Sequence, residues 1–185
     1  MARLAVLASG NGSNFEALAT AARAAGHEVC LLVCDRPEAY AFERARRLSV
    51  PAALVPWKGR PREEAEAELE AALEAAGTDV VALAGFMRLL SPAFVARRRG
   101  RLVNVHPSLL PAWPGAHAIE RAWEAGDAEL GVSVHYVDEG MDTGPLLVQG
   151  RVARAATLEA MEAAVHELEH SLYPRVVVGL LDGLR

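Results

Sequence analysis

Cysteine is scarce in this chain of 185 residues, which contains only Cys30 and Cys34. Both lie in the apolar run at residues 29–34, so we interpret them as reduced thiols inside a core. A zinc site would need at least two further cysteine or histidine ligands close by, and His27 alone lies near this pair in the sequence. The cysteines therefore do not predict a metal centre.

Excess positive charge and long apolar segments are also missing. The formal net charge is −5, which disfavours nucleic acid as a partner because such binding usually needs a basic surface. The longest apolar runs, such as residues 80–87, are too short to span a bilayer. The first residues lack the features of a signal peptide. We therefore expect a cytoplasmic protein that does not associate with membranes.

The remaining pattern alternates short apolar runs with helical segments, and turn residues separate them. Strands are predicted at residues 3–9, 28–34, 52–55, 79–84, 102–105, 130–137 and 145–152. Helices are predicted at residues 14–25, 39–48, 61–76, 92–98, 116–125 and 157–181. Successive strand–helix units predict a single α/β domain over residues 1–185. Its three layers would be a mostly parallel, twisted, Rossmann-like sheet of about seven strands with helices on both faces.

A glycine-rich turn joins the first strand to the first helix, at Gly10, Asn11, Gly12, Ser13 and Asn14. Glycines let the backbone approach a ligand, and free N–H groups at a helix start attract anions. The turn lacks the third glycine of a dinucleotide fingerprint and the lysine of a P-loop. It predicts either a phosphate monoester site or a simple tight turn in which Ser13 caps the helix.

Polar side chains gather at the predicted end of the fifth strand. Asn104 and His106 are two residues apart, so they should project from the same side of that strand. Asp142 lies in a loop between the last two strands. Taken singly, these are a turn former, an ordinary histidine and a loop residue. Together they indicate acyl transfer: an oxyanion donor, a proton carrier and a carboxylate that orients the imidazole.

The protein itself shows no convincing nucleophile for this chemistry. Ser108 lacks the glycine-flanked elbow of serine hydrolases, so the nucleophile is expected to come from the substrate. His166 and His170 match a His-Glu-x-x-His zinc motif, but a third ligand is not apparent near the chain end. We predict no metal and interpret this segment as a helix with one polar face.

Several strings of residues together resemble the folate-dependent formyltransferases, and among them the phosphoribosylglycinamide formyltransferases. The resemblance runs over nearly the whole chain. Its anchors are residues 9–14, 83–88, 104–111, 131–135, 142–145 and 169–174. It implies that 10-formyltetrahydrofolate is a co-substrate, and that its formyl group passes to the amine of glycinamide ribonucleotide. The amine would then be the missing nucleophile, and the ribonucleotide would carry the phosphate.

The resemblance also implies residue roles. The residues matching the family's catalytic trio are Asn104, His106 and Asp142, with Ser133 and His135 in support. Ribonucleotide contacts are implied for Gly10, Asn11, Gly12, Ser13, Asn14 and Glu169. Folate contacts are implied for Arg62, Met87, Arg88, Leu89, Leu90, Asp138, Glu139, Gly140 and Met141. Residues 1–100 would form a half that binds the nucleotide phosphate, and residues 101–185 a half for catalysis and folate binding.

Three other functions share parts of this pattern. A formyltransferase acting on charged tRNA would carry an additional basic domain, and a hydrolase releasing formate would carry an extra N-terminal domain. A folate- or nucleotide-binding protein without activity would not need the polar trio. Small-molecule substrates are therefore expected, and a homodimer is possible.

Overall fold

The computed structural model describes residues 1–184 and contains seven strands and six helices within them. The strands are β1 (Arg3–Ala8), β2 (Glu28–Cys34), β3 (Ala52–Leu54), β4 (Val80–Leu83), β5 (Leu102–His106), β6 (Glu129–Tyr136) and β7 (Leu146–Ala153). The helices are α1 (Ser13–Ala24), α2 (Ala41–Arg47), α3 (Arg62–Ala75), α4 (Pro92–Arg97), α5 (Ala118–Glu124) and α6 (Leu158–Asp182). Every predicted element is present, with boundaries that differ by no more than two residues.

All seven strands form one sheet in the order β3-β2-β1-β4-β5-β6-β7. The five strands from β3 to β5 in this order are parallel, whereas β6 and β7 join antiparallel. The chain runs outward from β1 through β2 to β3, and then outward on the other side from β4. The loops that follow β1 and β4 therefore diverge, which opens a crevice at the carboxyl ends of these strands.

The sheet has an apolar core on each face. Alternating residues of β1 show this directly: Leu4 and Val6 belong to one buried cluster, and Ala5 and Leu7 belong to the other. The first cluster includes residues from α1, α2, α5 and α6, and the second includes residues from α3 and α4. The predicted three-layer fold with helices on both faces is therefore confirmed.

The two cysteines are both free and buried. They lie on opposite faces of the sheet, because a bulge in β2 shifts its alternation and puts Cys30 in one cluster and Cys34 in the other. Burial is the main cause that raises the pKa of Cys34 to about 12, and the charge of Asp35 adds to it. The interpretation of these residues as core thiols agrees with this placement.

The starts of two helices show different capping. Thr157 accepts a hydrogen bond from the N–H of Ala160, as predicted for the cap of α6. The alternative in which Ser13 caps α1 is wrong, because Ser13 is the first helical residue and Gly12 occupies the cap position without any side-chain hydrogen bond. A left-handed backbone at residue 12 (φ 77°) favours glycine at that position.

Within residues 1–184, no helix combines the length and apolar character that crossing a membrane requires.

Candidate active site

A cavity of about 710 Å³ opens at the carboxyl ends of β1, β4 and β5, where the loops diverge. Its wall brings together most of the residues for which a role was predicted. From the phosphate and folate groups these are Gly10, Asn11, Gly12, Ser13, Asn14, Glu169, Met87, Arg88, Leu89, Leu90, Asp138, Gly140 and Met141. The wall also contains Asn104, His106, Asp142 and His135. Arg62, Glu139 and Ser133 are not among the lining residues.

The glycine turn forms one end of the cavity. The first helical hydrogen bond of α1 runs from Glu16 N–H to the Gly12 carbonyl, and no side chain caps the helix. The earliest N–H groups of α1 are thus free to bind an anion. Gly12 is irreplaceable for a second reason: a Cβ there would lie 2.6 Å from the Cβ of Ala41. The turn is also held in place by Arg44, whose Nε donates a hydrogen bond to the Asn11 carbonyl (2.8 Å).

The predicted trio meets at the carboxyl end of β5. Asn104 and His106 share one side of the strand, and the Asp142 loop lies over them. The His106 Nδ1 is 3.5 Å from the Asp142 Oδ2. Both side chains are largely buried, with exposures of 8% and 10%. Three polar groups that are far apart in sequence therefore converge, in surroundings that strengthen their electrostatic interactions.

The protonation pattern of His106 follows from its second ring nitrogen. Nε2 lies 2.8 Å from the carbonyl oxygen of Trp113. Because a carbonyl oxygen only accepts, we assign the hydrogen to Nε2. The lone pair of the neutral ring is then on Nδ1, the nitrogen that faces Asp142. Nδ1 is the atom that can take up or release a proton, and the carboxylate beside it would stabilise the imidazolium.

Asp142 is held in place as a carboxylate. Its backbone adopts a left-handed conformation (φ 55°), which aspartate tolerates better than most residues. Its Oδ2 accepts a hydrogen bond from Gly115 N–H at 2.8 Å. Burial alone would raise the pKa of Asp142, but interactions with His135, the Gly115 N–H and His106 outweigh it and lower the pKa below its usual 3.8. The group therefore stays ionised near neutral pH.

Asn104 is oriented by His135 on the neighbouring strand. The His135 Nδ1 lies 2.8 Å from the Tyr136 carbonyl and donates to it. Its Nε2 then carries a lone pair, which lies 3.4 Å from the Asn104 Nδ2. The same Nε2 is 3.7 Å from the Asp142 Oδ1. One amide hydrogen of Asn104 is thus engaged, and the second remains available to a ligand in the cavity.

Ser133 supports the segment that follows β5 and does not face the cavity. Its hydroxyl donates to the Ser108 carbonyl (2.7 Å) and accepts from Leu110 N–H (3.0 Å) and Gln149 Nε2 (2.9 Å). The side chain is fully buried. The Ser108 hydroxyl donates to the Ala112 carbonyl at 2.7 Å. These bonds fix the turn after His106, and they engage the hydroxyls of both Ser108 and Ser133.

The two histidines of the His-Glu-x-x-His segment have separate partners. The His166 Nδ1 lies 2.8 Å from Glu169 Oε2, and the His170 Nε2 lies 3.0 Å from Ser13 Oγ. Within residues 1–184, no group of three or more potential ligand side chains is arranged to hold a metal. The helix with a polar face that the sequence predicted lines the cavity through His166 and Glu169.

Some site residues were not predicted. Trp113 and Gly115 act through their backbone, which no side-chain pattern reveals. Asp35 forms an ion pair with Arg88 (Oδ2 to Nε, 2.5 Å), and its side chain is completely buried. Since Asp35 directly follows β2, the rule that identified Asn104 and His106 at a strand end would have identified it too. Arg44 carries no such signal.

Comparison with known proteins identifies the class. The formyl transferase family model matches residues 2–177, and the chain belongs to this family. A phosphoribosylglycinamide formyltransferase from Bacillus subtilis is 42% identical over 98% of this chain and 95% of its own length.

Solved structures give the same answer. Glycinamide ribonucleotide transformylase 1 from Geobacillus kaustophilus is 49% identical, with a TM-score of 0.92, covering 98% of this chain and 99% of its own. Phosphoribosylglycinamide formyltransferase from Bacillus halodurans is 42% identical with a TM-score of 0.92, covering 99% and 97%. The predicted resemblance to the phosphoribosylglycinamide formyltransferases is confirmed.

Proposed function

We propose that this enzyme transfers the formyl group of 10-formyltetrahydrofolate to the amine of 5-phosphoribosylglycinamide, a step of purine biosynthesis. The observation that carries the proposal is the convergence of Asn104, His106 and Asp142 on one cavity, with a free helix start at one end. The names of the relatives support 5-phosphoribosylglycinamide as the acceptor, and the resemblance to folate-dependent formyltransferases supports 10-formyltetrahydrofolate as the donor. The free start of α1 supports a phosphate site at one end of the cavity, and the trio supports an acyl-transfer step within it.

In the proposed mechanism the amine attacks the formyl carbon directly. Its lone pair forms the new C–N bond, and the carbonyl electrons move to oxygen to give a tetrahedral oxyanion. The free amide hydrogen of Asn104 and a protonated Nδ1 of His106 stabilise this charge. The intermediate collapses as the bond to N10 breaks, the attacking nitrogen loses a proton, and N10 gains one. The negative charge of Asp142 stabilises the protonated His106 ring throughout these transfers.

The ribonucleotide is proposed to lie along α1. Its phosphate would accept hydrogen bonds from the backbone of Gly12, Ser13 and Asn14, where no cap competes. Asn14 donates to Glu169 Oε2 at 3.2 Å, and Glu169 would contact the sugar or the amine. This arrangement points the amine from the phosphate end toward the trio.

The folate is proposed to lie against residues 87–90, with the loop at 138–142 over its pteridine. Met87 and Met141 are well exposed for apolar side chains, at 65% and 57%, as suits surfaces that a flat ring would cover. Arg88 lies at the same wall and carries a positive charge for a carboxylate. Arg62, the first residue of α3, and Glu139 remain proposed folate contacts from the family resemblance alone.

The proposal includes no covalent enzyme intermediate. The hydroxyl of Ser108 is already bonded to a carbonyl, and both cysteines lie in the core. Intact-mass measurement after mixing the enzyme with the formyl donor alone should therefore reveal no formyl adduct.

We also propose a cytoplasmic enzyme that acts on small molecules, with a homodimer as its possible assembly. Residues 1–100 would mainly bind the nucleotide phosphate, and residues 101–185 would supply catalysis and folate contacts.

A two-substrate assay tests the proposed reaction. We expect consumption of 10-formyltetrahydrofolate, followed by absorbance, only when 5-phosphoribosylglycinamide is present, with one formylated product per folate consumed. Consumption without the ribonucleotide would identify a hydrolase instead. No consumption with either, despite binding of both ligands, would identify an inactive binding protein. Transfer to an aminoacyl-tRNA but not to the ribonucleotide would also refute the proposal.

A further inference from the structure

His166 has no task in the mechanism above, although it lies on the cavity wall. It is one helical turn before Glu169 on α6, and its Nδ1 is 2.8 Å from the Glu169 Oε2. The two side chains differ sharply in environment. The His166 side chain is 52% exposed, and that of Glu169 only 6%. A buried carboxylate is thus held from its solvent side by an accessible imidazole.

The same carboxylate oxygen links α6 to the glycine turn. Glu169 Oε2 also accepts from the Asn14 Nδ2 at 3.2 Å. The other end of the Asn14 carboxamide, Oδ1, is buried and has no hydrogen-bond partner within residues 1–184. A buried, unsatisfied acceptor on a cavity wall is costly unless a ligand supplies the donor. The hydrogen-bonded series His166–Glu169–Asn14 therefore ends at the Asn14 Oδ1, which can accept a hydrogen bond from a hydroxyl or amino group of a ligand.

We propose that His166 is a positioning residue that fixes Glu169, and through it the Asn14 carboxamide, for the sugar or aminoacyl end of a phosphate ester. The inference rests on the proposed function for the identity of that ester, 5-phosphoribosylglycinamide. His166 acts on binding of the ribonucleotide and not on the chemical step. Without the His166 hydrogen bond, Glu169 can change rotamer. The Glu169 carboxylate and the Asn14 Oδ1 are then no longer held in place to accept hydrogen bonds from the ligand.

The surrounding charges favour a protonated His166. The hydrogen bond to Glu169 is the main cause that raises the pKa of His166, burial opposes it, and the negative charges of Glu169, Glu162 and Glu120 add to it. Glu120 comes from α5, where it also lies 3.5 Å from the His117 Nδ1. The group from α1 that faces the His166–Glu169 pair is the side chain of Asn14, which is uncharged. As pH rises through this elevated value the imidazolium is lost, and its hold on Glu169 weakens.

Steady-state kinetics of three variants test this role. His166→Ala should raise the KM for 5-phosphoribosylglycinamide about fivefold at pH 6, since a charge-assisted hydrogen bond to a half-exposed group is lost. The kcat and the KM for folate should stay near wild type. His166→Gln keeps a neutral donor and should recover part of the effect. Glu167→Gln, an exposed charge change on the same helix, is the matched control and should change neither KM.

The pH profile separates positioning from simple packing. The ratio of ribonucleotide KM values, His166→Gln over wild type, should fall toward one as pH rises from 6 to 9. Ionisation of the substrate cancels in this ratio. A ratio that does not change with pH, or an equal rise in the KM for folate, would overturn the inference.

A double variant shows whether His166 works through Glu169. If it does, His166→Ala added to Glu169→Gln should cost no more ribonucleotide affinity than Glu169→Gln alone. Fully additive losses would mean that His166 acts elsewhere, which contradicts the proposal.

A last readout needs no substrate and so separates this inference from the proposed function. Proton NMR of the His166 ring should give a titration midpoint above that of an ordinary histidine, and Glu169→Gln should lower it. An unchanged midpoint in that variant would refute the link, whatever reaction the enzyme performs.

Discussion

The ion pair between Asp142 and His106 supports a quantitative prediction for Asp142→Asn. The amide is nearly the same shape, and its oxygen can still accept from Gly115 N–H, so the loop should keep its place. What is lost is the negative charge 3.5 Å from the His106 Nδ1. Two unit charges at that separation interact by about 5 kcal/mol at an effective dielectric constant of about 20. That figure is an upper limit on the lost stabilisation of the imidazolium.

The dipole of the new amide recovers part of that energy, so we take the loss as about half to all of it. At about 1.4 kcal/mol for each factor of ten, kcat should fall between about sixtyfold and a few thousandfold. The KM values should change little, because the charge matters most when His106 is protonated in the transition state. Asp142 stays ionised well below neutral pH, since its pKa is lowered. The defect should therefore persist across the neutral range.

The assay is formyl transfer at saturating concentrations of both substrates. Asp79→Asn is the matched control, because the Asp79 Oδ2 also accepts one backbone N–H, that of Arg3 at 2.8 Å, away from the cavity. It should keep wild-type kcat. Circular dichroism and thermal melting should show that both variants are folded. A folded Asp142→Asn enzyme with kcat within tenfold of wild type would refute the assigned role of the carboxylate.

Three further predictions follow from other parts of the structure. Gly10→Ala should raise the KM for the ribonucleotide about tenfold without unfolding the protein, because a Cβ there meets only open space. The same exchange at Gly179, also in open space but in α6, should leave kinetics unchanged; equal effects would contradict the phosphate site. Asp35→Asn removes the charge that holds the Arg88 guanidinium in place at the cavity wall, so the KM for folate should rise about threefold. A change confined to the ribonucleotide KM would refute this. Tyr173→Phe should lower the free energy of unfolding by about 1–3 kcal/mol, measured in urea, since the hydroxyl lies within 3.1 Å of the Leu83 and Val103 carbonyls; no loss would contradict that account.

The fold was predictable because strong local signals repeat along the chain. Strand β4 is apolar at every position and is buried on both faces, which its sequence already indicated. Helix α6 begins at a threonine that caps it in the expected way. The start of α1 was less predictable, since serine and glycine both suit a cap. The left-handed backbone at Gly12 settled the choice, and tertiary contact with Ala41 is what requires glycine there.

The site was predictable only as far as side chains follow strand ends. Asn104 and His106 stand out by their spacing on β5, and Asp142 stands out as a carboxylate in the loop between the last two strands. The backbone carbonyl of Trp113 and the N–H of Gly115 could not be foreseen, because every residue carries the same groups. The ion pair of Asp35 with Arg88 joins the segments that follow β2 and β4, and these strands lie on either side of β1, which is known only from the sheet order. Sequence spacing alone does not contain that information.

The arrangement of the two native thiols also makes this enzyme a convenient host for reporter chemistry. Cys30 and Cys34 are shielded by opposite apolar layers, and at neutral pH Cys34 carries almost no thiolate because its pKa is about 12. Alkylating reagents should accordingly spare both. A cysteine introduced at an exposed position such as Leu89 would then be the preferred target for a fluorophore. Occupancy of the cavity could be followed by such a label without first replacing either native cysteine.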